Sequence, residues 1–349
     1  MKDLTVGLAI LGGLVLAAVI AHSAWKARRL APRQASPAEP AGPLAGERID
    51  PSLDATLQGL VEGSNAQPAA ALPPERRAML DPLIDSVAPI ALESAVSGDA
   101  AMAALPATRR AGSKPFAVEG LNEATQQWEA PQPGRRYSEF QAGVQLANRV
   151  GPLNEIEYSE FVMKARAFAD AVGGEPDFPE MLDEVARARE LDQFAAQHDA
   201  QLGFVLRPLA AAWSPGFVQQ HAARLGFVAG VIPGRMVLAS AINGDPPVLG
   251  LMFDPQAAMA EDPTQAAIRE VTLSLDVPQV PRTDQPFTRL CDAALLLAQA
   301  MDGAVTDEAG QPITPQAMAQ IGTELERLYD TLDARELSAG SPLARRLFS

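Results

Sequence analysis

The sequence predicts an α+β protein. An antiparallel sheet with helices on one face lies behind an N-terminal transmembrane helix and a disordered Pro/Ala-rich linker. Three observations carry this. Residues 4–21 contain no charged side chain and nothing more polar than Thr5. Residues 30–114 are rich in Pro and Ala and poor in large apolar residues. From Pro115 onward, strand-like and helix-like stretches alternate, with a two-residue rhythm in REVTLSLDVPQV (269–280) that marks a half-buried antiparallel strand.

The first stretch fits the length of a membrane helix, about 20 apolar residues. A secretory signal places its positive charge before the apolar run. Here Lys26, Arg28, Arg29 and Arg33 follow it, and Lys2 is offset by Asp3. Ala21, His22 and Ser23 fit a cleavage site, so a cut signal remains the alternative to an anchor. Positively charged flanks stay cytoplasmic, which predicts an outside N-terminus and a cytoplasmic remainder in the inner membrane. Trp25, Lys26, Arg28 and Arg29 are the expected membrane-interface residues. The chain of 349 residues carries a net charge of −15, and an acidic body is repelled by nucleic acid and anionic lipid. Its single cysteine, Cys291, excludes an intrachain disulfide and falls in an apolar helical stretch, where a free thiol packs as a small core residue.

The Pro/Ala-rich stretch cannot bury enough apolar surface to offset its ordering entropy. As a flexible chain of about 85 residues it reaches roughly 50 Å. Within it, AMLDPLIDSVAPIALESAVSG (78–98) gathers Leu80, Leu83, Ile84, Val87, Ile90 and Leu92. It reads as a short docked element or as a linear motif for a partner.

The folded part is expected as an additional α+β segment over 115–200, a module over 201–338 and a tail over 339–349. In the module, GFVLRPL (203–209) is a strand. Ser214 followed by Pro215 opens a helix as N-cap and first helical residue, and Gly226 ends it. FVAGVIPGRMVLAS (227–240) is strand-like around an internal Pro-Gly, and VLGLMFD (248–254) is a strand. On 269–280, Val271, Leu273, Leu275 and Val277 face one way, and Thr272, Ser274 and Asp276 the other. A helix over 286–303, a hairpin-like stretch with Gly310 at its turn and a helix from Pro315 to about Glu336 complete the module. Residues 137–174 echo 269–303 in running strand, loop, helix and glycine, which suggests a partial duplication.

Chemistry needs converging groups of matched pKa. His22 lies at the membrane edge, and His198 and His221 lie on helical segments without a metal-ligand pattern. There is no GxSxG, P-loop or strand-borne GxGxxG. Glu180, Asp183 and Glu184 fall at a helix start, where carboxylates complement the macrodipole. The sequence therefore reads as a non-enzyme, with no cofactor, metal or small-molecule substrate. A binding surface is visible instead. Both faces of VLGLMFD are apolar, and GRMVLAS adds Met236 and Leu238. One face feeds a core; the other is covered by the first half or offered to a partner.

The layout resembles the ZipA family of FtsZ-binding membrane anchors. The likeness rests on the short start with one span and HSAWKARR, on the Pro-rich spacer, and on the stretch from about Leu202 to Glu336, with VTLSLDVP, AQAMDGAV and PITPQAMAQIGTELERL. The resemblance implies a shallow apolar groove on an open sheet face that takes the C-terminal tail of FtsZ. By position, that groove involves Val205, Arg207, Met236, Leu238, Met252, Thr272 and Ser274. The chain departs from the family at Ser274, where a groove aromatic is expected, and at Gly310, where a basic residue is expected. The alternatives are an envelope scaffold that binds another peptide and a membrane-tethered enzyme with an unrecognised site.

Overall fold

The computed structural model describes residues 33–34, 80–242, 244–262 and 266–349. The expected membrane helix, its interface residues Trp25, Lys26, Arg28 and Arg29, and the linker from 35 to 79 lie outside the described residues. Among the described residues, no helix is long and apolar enough to cross a membrane.

The first module begins well before residue 115. Its elements are β1 (Asp85–Leu92), β2 (Val96–Ser97), α1 (Gly98–Ala104), β3 (Arg110–Ala111), β4 (Lys114–Asn122), β5 (Trp128–Glu129), β6 (Arg136–Gln145), β7 (Ala147–Asn148), β8 (Gly151–Pro152), α2 (Glu155–Val172), β9 (Gly174–Pro176) and α3 (Met181–His198). The main sheet runs β3-β4-β6-β1-β9, with β2 beside β6 and β5 beside β4. Residues 80–114, expected as spacer apart from a docked element or partner motif over 78–98, therefore supply a central strand. Ile84, Ala88 and Ile90 are buried, and the alternate spacing of Ala88 and Ile90 places both on the helix side. Helix α2 starts at a capping box, in which the Asn154 side chain and Glu157 bond each other's backbone amides. Its Phe161 and Phe168 meet Phe116 and Phe140 of the sheet.

The second module comprises β10 (Gln201–Pro208), α4 (Pro215–Arg224), β11 (Phe227–Ala229), β12 (Arg235–Leu238), β13 (Leu249–Phe253), α5 (Pro255–Ala258), β14 (Val271–Asp276), α6 (Pro286–Met301), β15 (Gly303–Thr306) and α7 (Pro315–Ala334). Its sheet runs β11-β12-β13-β14-β10-β15. Ser214 caps α4 by accepting from the Phe217 amide, and Thr314 caps α7 by accepting from Ala317. Helix α6 packs on β10, β14 and β15. Phe204 and Phe287 form an edge-on pair across that layer. The strand-like stretch 227–240 is a hairpin of β11 and β12 rather than one strand.

The echo in the sequence is a duplication of topology. The order β4-β6-β1-β9 repeats as β13-β14-β10-β15, antiparallel at every pair. In chain order, β1-α1-β4-β6-α2-β9-α3 matches β10-α4-β13-β14-α6-β15-α7. The registers align too. Ile90 pairs with Phe140 and Pro176 as Leu206 pairs with Val271 and Val305. Counting back from that row, Gly143 corresponds to Ser274, and Val118 to Leu251.

The residues expected as a free tail are folded. Helix α8 (Pro342–Leu347) buries Leu347 and Phe348. Arg346 reaches the fully buried carboxylate of Asp85, and the Gln145 side chain donates to the Arg346 carbonyl at 2.9 Å. On the other side, Gln279 donates to the Phe348 carbonyl at 2.7 Å. Arg149 of the first module bridges Asp199 and Asp276 at 2.6 and 2.7 Å. Upstream, Arg33 docks on the second module. Its amide donates to the Ala212 carbonyl, its carbonyl accepts from Ser214, and its guanidinium pairs with Asp302.

Candidate peptide-binding face

Residues opposite each other in antiparallel strands share a face, so register sorts the expected groove residues. Leu251, Leu273 and Phe204 form one row under the helices. Met252, Thr272, Val205 and Thr306 form a row on the open face, beside Gly250, Ser274 and Gly203. Met236 pairs with Leu251, and Leu238 with Leu249. Both therefore point toward the helices, and Met236 is buried. They are core residues, not groove residues. Their places on the open face belong to Val237 and Arg235, which pair with Gly250 and Met252. Nothing in the sequence separates the two choices, because the β12 sequence RMVL is apolar on both faces beyond Arg235.

The open face is not covered by the first module. Met252 is 55 % exposed, Ser274 is exposed, and Thr272 and Val237 are half-buried. Val205 is on the face but only 5 % exposed, so it forms the floor. Apolar surface continues at the sheet edge through exposed Val228, Val231 and Ile232. Beside the Met252 row, the row Gly250, Ser274 and Gly203 forms a strip with little side-chain bulk. A Cβ on Gly250 would lie 2.6 Å from the Ser274 hydroxyl oxygen, so Ser274 closes over Gly250 and leaves a shallow trench. On the far side of Met252 and Thr272 a depression of about 490 Å³ is lined by these two with Pro255, Ile268 and Glu270, among others.

Arg207 borders the face. It pairs with Glu270 at 2.9 Å and donates to the Glu308 carbonyl at 3.3 Å. Its Nε is buried without a hydrogen-bond partner. A Cβ on Gly310, whose φ is +84°, would lie 2.7 Å from Arg207 Nη1. The departure at Gly310 thus has a physical reason: its backbone takes a positive φ that L side chains rarely adopt, and the Arg207 guanidinium from β10 lies close above it.

The matching face of the first module is partly occupied by its own chain. Leu80 lies over Gly143, the counterpart of Ser274, with a methyl 2.5 Å from where a Cβ would be. Its amide donates to Glu119 at 3.3 Å. Of the two open faces, the one on β13, β14 and β10 is left exposed.

The titratable groups singled out in the sequence have structural surroundings. Glu184 is buried against Arg187. His198 stacks on Phe194. Burial lowers the pKa of His221, aided by Arg224. The Cys291 thiol is pushed up to about 11, chiefly by burial and then by Asp292, which keeps it protonated and unreactive near neutrality.

No curated protein matches the chain. Residues 249–324, from β13 into α7, match the family described as ZipA, C-terminal FtsZ-binding domain, and through that segment the chain is ZipA-like.

Proposed function

We propose that the chain is a bitopic inner-membrane cell-division protein that tethers FtsZ to the membrane and stabilises the division ring. It acts as a non-catalytic scaffold. One observation carries this reading: the ZipA-matched segment 249–324 contains β13 and β14, the strands that bear Met252, Thr272 and Ser274 on the exposed face. The tail of FtsZ lies along the Gly250–Ser274–Gly203 strip as an extended segment and a short helix, with Met252 and Val237 as adaptable apolar walls. Arg207, beside Gly310, supplies the positive charge that the resemblance places in the last hairpin.

The full chain should bind FtsZ and lose binding when FtsZ lacks its C-terminal tail. Tail-independent binding would move the contact off the tail, and no binding would replace FtsZ by another peptide partner. The membrane part rests on residues 4–21 and the basic cluster behind them. Alkaline phosphatase fused after Ser349 should be inactive, because the positively flanked side stays in the cytoplasm. Strong periplasmic activity would overturn the orientation and the FtsZ reading together.

A further inference from the structure

The duplicated modules differ at one edge. In the second, β13 is covered by β12, which places Met236 against Leu251 and Leu238 against Leu249 on the helix side. In the first, the corresponding edge of β4 is covered only at its ends. Strand β3 pairs with Lys114 and Pro115, and β5 pairs with Gly120 and Leu121. The Phe116 amide turns outward to the Arg109 carbonyl at 3.0 Å. Backbone direction alternates along a strand, so Val118 also turns its N–H and C=O outward, and neither β3 nor β5 reaches it.

Beside this gap is an apolar cavity of about 180 Å³ whose walls include Leu105, Phe116, Val118, Ala130 and Pro131. Val118 corresponds to Leu251, so the cavity lies where Met236 sits in the second module. Arg109, on its rim, is exposed and has no side-chain hydrogen bond or ion pair among the described residues.

We propose that this edge is a second docking site. It takes an extended peptide strand that places one aliphatic side chain in the cavity and an acidic residue, C-terminal to it, against Arg109. The strand would bond the outward N–H and C=O of Val118, which have no partner among the described residues; this gives affinity, while the cavity and Arg109 give selectivity. The protein's own β12 is the template for the occupant: a short strand with a methionine at the anchor position, running antiparallel to its neighbour. The site does not depend on the FtsZ reading, since it lies on the other module and at a sheet edge.

The probe is a synthetic peptide of residues 233–240 carrying Ala239→Asp, titrated into the full chain. It should bind and slow hydrogen exchange at the Val118 amide. Ala130→Trp should fill the cavity mouth, and Arg109→Glu should reverse the rim charge; each should weaken binding by about tenfold or more. Both residues are exposed, and Arg109→Glu keeps the test valid if the tryptophan variant misfolds. No binding, or binding that neither substitution changes, would overturn the proposal. So would a dimer of the full chain that Ala130→Trp disperses, since the slot would then belong to a second copy.

Discussion

Ser274 and Leu273 are neighbours with opposite surroundings. Leu273 is fully buried beneath the helices, and Ser274 is exposed beside Gly250. Leu273→Ala should destabilise the fold by about 2–5 kcal/mol through lost burial and a cavity. Ser274→Glu places a charge where an apolar peptide must lie, and burying such a charge is costly. It should abolish FtsZ-tail binding in a titration while the thermal midpoint barely moves. An unchanged dissociation constant would remove Ser274 from the groove. The alternation of 269–280 made this pair legible, because its polar and apolar residues separate cleanly. Met236 and Leu238 were misplaced because β12 is only four residues long and presents apolar side chains both ways. Its facing is fixed by its pairing with β13, a long-range fact absent from its own composition.

The same contrast operates among elements. Strand β14 and helices α4, α6 and α7 were readable from periodicity and from caps at Ser214 and Thr314, all local signals. Strand β1 was not, since its sequence DSVAPIAL carries a proline and small alanines and follows a Pro-rich stretch. Its helix-side face works with Ala88 because Phe140 and Phe168 fill the layer from the partner elements. Likewise the echo between 137–174 and 269–303 was visible, whereas the β1-α1 start of the duplication was hidden inside the apparent spacer. Limited proteolysis should therefore cut before residue 80 and leave a stable fragment that retains 80–114. Early cleavage between 93 and 114, with release of a fragment starting near Lys114, would contradict the placement of β1 in the sheet.

At the scale of the whole molecule, α8 ties the modules together. Asp85, on the first sheet, is pushed up by burial and pulled back down by Arg346. Arg346→Ala would leave a buried carboxylate without its main partner, at a cost of about 3–5 kcal/mol near neutral pH. The sign with pH follows from a native-state pKa raised above the unfolded value. The penalty is present above the native pKa and fades as pH falls, vanishing below the unfolded value of about 3.9. Chemical denaturation should show the variant far below wild type at neutral pH, and the gap closing in acid. A gap that is constant with pH would mean that the loss comes from packing rather than from the Asp85 charge.

Arg33 carries a consequence for where the molecule stands. With residues 4–21 spanning the membrane as proposed and Trp25 at its interface, only residues 26–32 would separate the bilayer surface from the docked Arg33. Even fully stretched, that segment spans no more than about 25 Å. On that reading the second module would be moored close to the lipid, at a height set by this short segment. The 45 residues from 35 to 79 join Gln34, next to the docked Arg33, to Leu80, whose amide bonds Glu119. Doubling the length of such a loop costs only about 0.6 kcal/mol and does not raise the module from the membrane. An FtsZ filament held here would run close along the bilayer surface, within range of the basic residues that precede Arg33.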